Sequence, residues 1–328
     1  QSSMRLAGVP QDPPTLMQRA SPDSAIVAWK ADSVTTAEAT YSWSEFASAV
    51  EAGDPAFDDV RAAVFSEPIR FNLDASRGMA MLLPQLSVMK QISFGCSAAM
   101  VVDLHEQERA AAWTNLMAST RLVTAWEPEP SQISHLVRFA LVPTDFQTTW
   151  EALQAGDWPE EQLATLQREW ESVDFFKSAP ETLAFMRAGA LDACERQRKE
   201  AMGSFTLGSE LRAMAQAPQQ SPRIAKMLWT QLRYLYGGGV YEDEKALLLF
   251  YRDREVEMRN AVKASSWQAM MSMPGVTNQP VFTSRYPFSL GSMMMLRQMN
   301  PMFAGRGMGF LGRAASSECY RRLMVTGI

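Results

Sequence analysis

The sequence has few of the residues that most often carry metal or thiol chemistry, with 3 cysteines and 2 histidines among 328 residues. Cys96, Cys194 and Cys319 lie far apart, so no pair has the close spacing of a zinc or redox site. A disulfide would need tertiary proximity and would leave one cysteine over. We therefore predict small buried or half-buried side chains at these positions, with no metal and no cofactor.

Long hydrophobic runs and basic tracts are also missing. No window of about 18 uncharged apolar residues occurs, so no membrane-spanning helix is predicted within the sequence. The formal net charge is -5, from 31 lysines and arginines against 36 aspartates and glutamates, without a basic tail. We therefore expect no nucleic-acid partner. A hydrophobic content of 47% with 20% charged residues excludes wholesale disorder.

Strand-like alternation is absent, whereas apolar residues recur at three- and four-residue steps. The sequence therefore predicts an all-α protein. On the helix predicted over 131–153 the apolar stripe consists of Ile133, Leu136, Val137, Ala140 and Leu141, and Pro143 is expected to kink it. The predicted helices are 55–65, 86–104, 106–126, 131–153, 160–176, 180–202, 223–236 and 241–271.

The helices follow one another in pairs joined by short turns, which predicts antiparallel hairpins. Such hairpins form either a degenerate tetratricopeptide-like solenoid or an irregular helical bundle. The stretch 85–130 has the order of a tetratricopeptide unit but lacks its Trp–Leu–Gly signature, so both architectures stay open. We expect four regions: an extended arm over 1–54, the helical-hairpin domain over 55–271, a Met/Gly-rich irregular arm over 272–312, and the start of a C-terminal helix over 313–328.

One glycine motif points to nucleotide chemistry and is rejected on its context. Gly307, Gly309 and Gly312 spell GxGxxG, which binds dinucleotides only when it follows a strand and opens a helix. No βαβ pattern occurs anywhere in the sequence. We therefore interpret the motif as a flexible glycine-rich connection.

Three polar groups contain residue types that can form chemical sites, and none predicts a catalytic residue. The metal-capable group lacks the further histidines or cysteines that zinc or iron would want, and is interpreted as a solvated turn. The triad-like group lacks a nucleophile elbow and an oxyanion hole. The carboxylate group is interpreted as a solvated helix face. These groups are, in turn, Asp103, His105, Glu106 and Glu108; Ser134, His135 and Asp145; and Glu169, Glu171 and Asp174.

Methionine is the compositional anomaly, with 22 residues, nine of which fall between Met270 and Met308. Thioethers bind Cu(I), but neither histidine lies near this segment. Methionine also fills irregular gaps and serves adaptable interfaces, so we predict a contact surface for a protein partner. Its predicted interaction residues are Met293, Met294, Met295, Met299, Met302, Phe303 and Phe310.

Three blocks carry a family resemblance: residues 71–86, residues 131–140 (SQISHLVRFA) and residues 318–323 (ECYRRL). Together they resemble a group of helical, tetratricopeptide-like proteins of planctomycete and verrucomicrobial bacteria. In that group an N-terminal membrane segment often precedes the helical region, and a prepilin-like stretch often follows it. The resemblance implies an envelope location and a chain that continues at both ends. It brings no activity, so it assigns no catalytic residue.

These observations predict a protein–protein interaction scaffold on the extracytoplasmic side of a bacterial membrane, membrane-associated and bound to protein partners. A cytoplasmic location is the alternative. The alternative functions are a structural subunit of a secretion, pilus-like or other membrane complex, and an enzyme of unrecognised type. The oligomeric state and the identity of the partners are not predicted.

Overall fold

The structure is a computed structural model, and most of the residues that it describes are helical. Two compact units are present: unit 1 comprises Gln1–Leu73, Leu82–Phe175 and Arg313–Ile328, and unit 2 comprises Asp74–Met81 and Phe176–Gly312. The described residues are 27–35, 40–52, 54–66, 68–74, 81–204, 239–263 and 310–328, with single positions at 212, 215, 216, 222 and 268.

The helices lie close to the predicted ranges where both can be compared. Before them come a single turn of 3-10 helix, Ala28–Lys30, and a two-residue antiparallel pairing of β1 with β2. The strands are β1 (Val34–Thr35) and β2 (Thr40–Tyr41), and the helices are α1 (Trp43–Glu51), α2 (Asp54–Ser66), α3 (Gln85–His105), α4 (Arg109–Thr124), α5 (Gln132–Leu153), α6 (Glu160–Glu171), α7 (Ala179–Ser204), α8 (Gly239–Val262) and α9 (Phe310–Gly327).

The core of unit 1 consists of α3, α4 and α5, which pack against one another. A tight turn joins α3 to α4 and places Gln107 at a φ of 66°, in the left-handed region. The helix α5 continues through Pro143, which is exposed. Each large apolar side chain that is fully buried contributes about 1.5–3 kcal/mol to folding. Four such side chains come from these helices: Met100, Leu116, Leu122 and Leu141.

The N-terminal part of unit 1 differs from the extended arm predicted over residues 1–54, because it contains the helix α1. A capping box begins this helix: the Ser42 hydroxyl accepts from the Glu45 backbone N–H, and the Glu45 carboxylate accepts from the Ser42 N–H at 2.9 Å. Such a box satisfies two N–H groups that the first turn of a helix otherwise leaves open. The pattern Ser-x-x-Glu was the signal in the sequence that could have predicted α1.

Four contacts fasten the chain before α1, together with the first residue of α1, to the C-terminal ends of α3 and α5. The Ala28 N–H donates to Glu151 Oε2 at 2.9 Å, and Trp29 Nε1 donates to the Glu151 backbone oxygen at 3.0 Å. His105 Nδ1 lies 2.9 Å from the Trp29 oxygen, and its ring stacks on Trp43 at 3.7 Å. We call these five residues the N-terminal clasp.

Unit 2 contains the pair α7 and α8, which pack on each other. One apolar stripe of α7 is buried, and Arg187 on α7 pairs with Glu255 on α8 at 2.8 Å. The helix predicted over 223–236 lies outside the described residues, as does the Met/Gly-rich arm over 272–312 apart from its last three residues, which begin α9. The buried residues of the α7 stripe are Leu183, Met186, Ala190 and Cys194.

Candidate functional site

Several chain segments meet at one end of unit 1. The segment after α2 pairs with the end of α4, through Ile69 N–H to the Ala125 oxygen at 2.9 Å and Glu127 N–H to the Ile69 oxygen at 3.0 Å. The first turn of α3 lies beside the α4–α5 connection, because Gln85 Nε2 donates to Glu129 Oε1 at 3.1 Å. The end of α2 and the starts of α3 and α5 therefore share this end.

Large apolar side chains are exposed on these same segments. Phe65 lies in the last turn of α2 and is 43% exposed, and Leu82 precedes α3 and is 68% exposed. Val88 lies in the first turns of α3 and is 49% exposed, and Ile133 lies in the first turn of α5 and is 46% exposed. We call these four residues the apolar end. Single exposed apolar residues are ordinary, but several that gather on one surface indicate a contact site.

A cleft of about 350 Å³ opens elsewhere in unit 1, between α1, α2, α3 and α4. Its apolar walls include Val50 on α1 and two buried residues of α3, Ala99 and Val102. Carboxylates also line it, namely Glu51 on α1, Asp103 on α3 and Glu106 directly after the end of α3. The cleft therefore combines an apolar inner surface with acidic groups.

A hydrogen-bonded chain forms the polar side of the cleft. Asn115 is buried and donates through Nδ2 to Asp103 Oδ2 at 2.8 Å. Its Oδ1 accepts from Arg61 Nη1 at 2.8 Å, and Arg61 also pairs with Asp58 at 2.7 Å. Because Asn115 is bonded on both sides, Asp103 and Arg61 are held in position at the edge of the cleft.

Polar side chains occupy the interface of α3, α4 and α5 as well, where an apolar core is the usual solution. The hydroxyls of Ser97 and Thr148 lie 2.7 Å apart, and the Thr148 hydroxyl donates to the Thr144 oxygen at 2.9 Å. A hydroxyl has one proton, so Thr148 accepts from Ser97 and Ser97 is the donor. The bond joins α3 to α5 in the interior of unit 1.

We expect Ser97→Ala to lower the free energy of unfolding by about 1 kcal/mol, because Thr148 keeps its own donation to Thr144 while one buried hydrogen bond is lost. The urea midpoint followed by tryptophan fluorescence measures this. Ser87→Ala is the matched control, since Ser87 is exposed in the first turn of the same helix. Equal midpoints for the two variants would contradict the expectation.

Asp145 on α5 is fully buried against α4. Burial raises the pKa of its carboxyl to about 7, because the charged form loses its hydration. The hydroxyls of Ser119 and Thr120 act in the opposite direction. Neither hydroxyl reaches a carboxylate oxygen with full hydrogen-bond geometry, so the effect of burial prevails.

His135 and Arg138 occupy the first half of the same helix. Burial, and secondarily the positive charge of Arg138, lower the pKa of His135 to about 4, so the imidazole is neutral at pH 7. Arg138 is buried too, and its Nε donates to the Val123 oxygen at 2.7 Å. Burial lowers the pKa of Arg138 to about 10, which leaves it protonated and able to satisfy the last carbonyls of α4.

The metal-capable group of the sequence does not converge on one point. His105 belongs to the N-terminal clasp, Asp103 accepts from Asn115, and Glu108 is exposed. Within the described part of the chain, no three histidine, cysteine, aspartate or glutamate side chains are arranged to hold a metal ion. The cysteines, all of which are described, are unbridged, with Cys96 and Cys194 buried and Cys319 exposed.

The triad-like group does not come together either. Ser134, His135 and Asp145 are all buried on α5, but ten residues separate His135 from Asp145. The helical rise of 1.5 Å per residue puts them about 15 Å apart along the axis. Only 2% of His135 is exposed.

The carboxylate group is only partly the solvated face that was predicted. Glu171 and Asp174 are exposed, but Glu169 pairs with Arg121 at 2.6 Å and accepts from the Thr124 hydroxyl at 3.1 Å. Glu169 therefore fastens α6 to α4. A glutamate that faces an arginine of another helix gives no signal in its own sequence neighbourhood.

Most of the predicted methionine surface lies outside the described residues, namely Met293, Met294, Met295, Met299, Met302 and Phe303. Phe310 is described, and it differs from the prediction because only 1% of it is exposed. A ring buried in that way has no surface to offer a partner. The glycine motif begins outside the described residues and ends inside α9, at Gly312.

Comparison of the chain with protein-family models, with curated proteins and with solved structures finds no match. Among the described helices, none is both long enough and apolar enough to cross a bilayer.

Proposed function

We propose that the chain is a protein–protein interaction scaffold of a bacterial envelope, associated with the membrane on its extracytoplasmic side. The observation that carries this proposal is the apolar end of unit 1, where Phe65, Leu82, Val88 and Ile133 are exposed on segments that meet. Burial of such side chains at an interface is favourable because it removes their apolar surface from water.

The helices behind the apolar end support the same function. The helices α3, α4 and α5 pack on one another, and buried hydrogen bonds join α5 to both α3 and α4, so the exposed residues are presented on a stiff frame. In this proposal the hairpins form a degenerate tetratricopeptide-like array, a class of helical framework suited to binding other proteins. The envelope location rests on the sequence resemblance.

Site-specific crosslinking tests the apolar end. A photoreactive phenylalanine at Val88 or Ile133, in cells that produce the full chain, is expected to give adducts of the same masses. Leu323 on α9 is the matched control, because it is equally exposed at 55% but lies outside the apolar end. No adducts, or the same adducts from all three positions, would contradict the proposal.

The methionine-rich segment is a second proposed contact and forms another arm of the same experiment. A chain that lacks residues 280–309 and carries the photoreactive group at Val88 is expected to lose adduct yield, because the partner loses part of its interface. An unchanged yield would remove Met293–Met295 and their neighbours from the proposed surface. The apolar end would be unaffected by that result.

A structural subunit of a larger complex is the second candidate, and a feature of α8 favours it. Tyr241, Leu248 and Val256 are exposed and lie at steps of seven and eight residues, so they share one side of this helix. An exposed apolar stripe of this length is typical of helices that pack on a neighbouring subunit. Light scattering after size exclusion would count against an obligate subunit if it shows a stable monomer.

A further inference from the structure

The acidic cleft of unit 1 has a shape and charge that the scaffold proposal does not use. We propose that this cleft binds the side chain of a lysine that a partner protein presents. The inference goes beyond the proposed function, because it needs neither the apolar end nor the methionine-rich segment.

Charge is the first argument for a cationic occupant. Three carboxylates line the cleft, those of Glu51, Asp103 and Glu106, against one cation, Arg61. Arg61 is already paired with Asp58 at 2.7 Å, outside the cleft lining. The lining therefore has a net negative charge, and an occupant with one positive charge complements it.

The shape of the cleft is the second argument. Lysine carries its charge on a four-carbon stem, which packs on apolar surface while the ammonium seeks carboxylates or water. Val50, Ala99 and Val102 supply the apolar wall, and the carboxylates lie on the same cleft. Its volume of about 350 Å³ is at the small end of the range of roughly 300–1,000 Å³ typical of ligand pockets, which suits one side chain.

The acceptors favour lysine over arginine. They belong to three separate side chains: Glu51 on α1, Asp103 on α3 and Glu106 in the turn after α3. An ammonium has three donors that are free to rotate toward separate acceptors, whereas a guanidinium is a planar fork suited to one carboxylate. The position beside Asn115 is also already filled by the guanidinium of Arg61.

The open rim indicates that the lysine belongs to a polypeptide. Glu51, Glu106 and Ala111 line the cleft and are exposed, so the opening lies at the surface of the protein. A side chain can therefore enter while its backbone stays outside. A free amine would gain more from a site that encloses both of its ends.

Binding is measured by NMR on the full chain, with the methyl signals of Val50 and Val102 as reporters. The probe is the peptide acetyl-Ala-Ala-Lys-Ala-Ala-amide. The control peptide carries norleucine, which has no charge, in place of lysine. We expect saturable shifts of both methyl signals with the lysine peptide and none with norleucine. Equal shifts from both peptides, or none from either, would overturn the proposal.

Two variants test whether the carboxylates of the cleft contribute to binding of the lysine peptide, and a third variant outside the cleft is the matched control. Glu51→Gln and Glu106→Gln are each expected to weaken the lysine peptide about two- to fivefold, the range of an exposed ion pair. Glu108→Gln should leave the affinity unchanged, since Glu108 is exposed near Glu106 but does not line the cleft. Equal affinities for all three variants would contradict an ionic site.

Binding of 1,5-diaminopentane shows whether the cleft prefers a free amine or the lysine of a polypeptide. Weaker binding of this diamine than of the peptide supports a lysine of a partner protein, and tighter binding would overturn it. Failure of the scaffold proposal would be distinguishable, because Val88→Glu at the apolar end should leave the affinity for the lysine peptide unchanged.

Discussion

Replacing Asp145 with asparagine is expected to abolish a pH-dependent loss of stability. In the native protein burial raises the pKa of this carboxyl from 3.8 to about 7. One pKa unit corresponds to about 1.4 kcal/mol, so ionisation of this carboxyl by itself lowers the free energy of unfolding by about 4 kcal/mol as the pH rises through this window. The asparagine variant cannot ionise and therefore lacks this slope.

The sign follows from where the proton is bound. Between pH 3.8 and about 7 the folded protein holds the Asp145 proton while the unfolded chain releases it. Folding then takes up a proton, so the free energy of unfolding falls as the pH rises, and it is level above the folded pKa. Asp145→Asn should consequently be more stable than the native protein at pH 8 and close to it at pH 4.

Urea unfolding at pH 4 to pH 8, followed by tryptophan fluorescence, measures this slope. Asp157→Asn is the matched control, because Asp157 is exposed and its φ of 55° is one that asparagine also adopts readily. The control should keep the native dependence on pH. If Asp145→Asn kept it as well, the buried carboxyl would not be its source.

Replacing His135 with glutamine is expected to have the opposite effect, which makes the two variants mutually diagnostic. Burial and Arg138 lower the pKa of His135 from 6.5 to about 4. Below pH 6.5 the unfolded chain binds a proton that the folded protein refuses, so the native protein loses about 3 kcal/mol as the pH falls to about 4. The glutamine variant should not show this loss.

The two slopes oppose each other in the native protein. From pH 4 to pH 6.5 each group changes stability by about 1.4 kcal/mol per pH unit in opposite directions, so their joint contribution is nearly level. Asp145→Asn should then lose stability on acidification, and His135→Gln should gain it. The double variant should again be nearly level, and slopes of the same sign in the two single variants would contradict this account.

Charged groups on the neighbouring helices are engaged elsewhere. On α4, Arg121 pairs with Glu169, and on α3, Asp103 accepts from Asn115 while His105 lies in the N-terminal clasp. On α9, Arg321 and Arg322 both pair with Glu318. The groups that act on the pKa of Asp145 are accordingly two neutral hydroxyls and burial itself.

Helix positions follow from the sequence far better than helix faces do. The helix α5 begins one residue from its predicted start, but its predicted stripe is largely wrong. Ile133 and Ala140 are exposed, and of the five stripe residues only Leu141 is buried. Periodicity assumes that the apolar side faces inward, and it fails when a helix turns its hydroxyls, an aspartate and an arginine toward its neighbours.

The spacing of residues in the sequence predicts neither the acidic cleft nor the buried carboxyl of Asp145. Arg61 follows Glu51 by 10 residues and Asp103 follows Arg61 by 42, and the three meet only because α1 and α2 pack on the α3–α4 hairpin. Asp103 and Glu106 have side chains that can bind a metal ion, but the described residues form no arrangement that would hold one. The raised pKa of Asp145 depends on full burial, which no local pattern of residues indicates.

The N-terminal clasp bears on the order in which unit 1 folds. Ala28 and Trp29 contact Glu151 across 123 and 122 residues of chain, whereas α3, α4 and α5 are consecutive hairpins. A contact between residues far apart in the sequence costs more loop-closure entropy than a contact within a hairpin. Hairpins therefore form early, and contacts such as those of the N-terminal clasp form late. Formation of the N-terminal clasp is therefore expected to be the last step in the folding of unit 1. During synthesis, Ala28 can bind Glu151 only after Glu151 has left the ribosome.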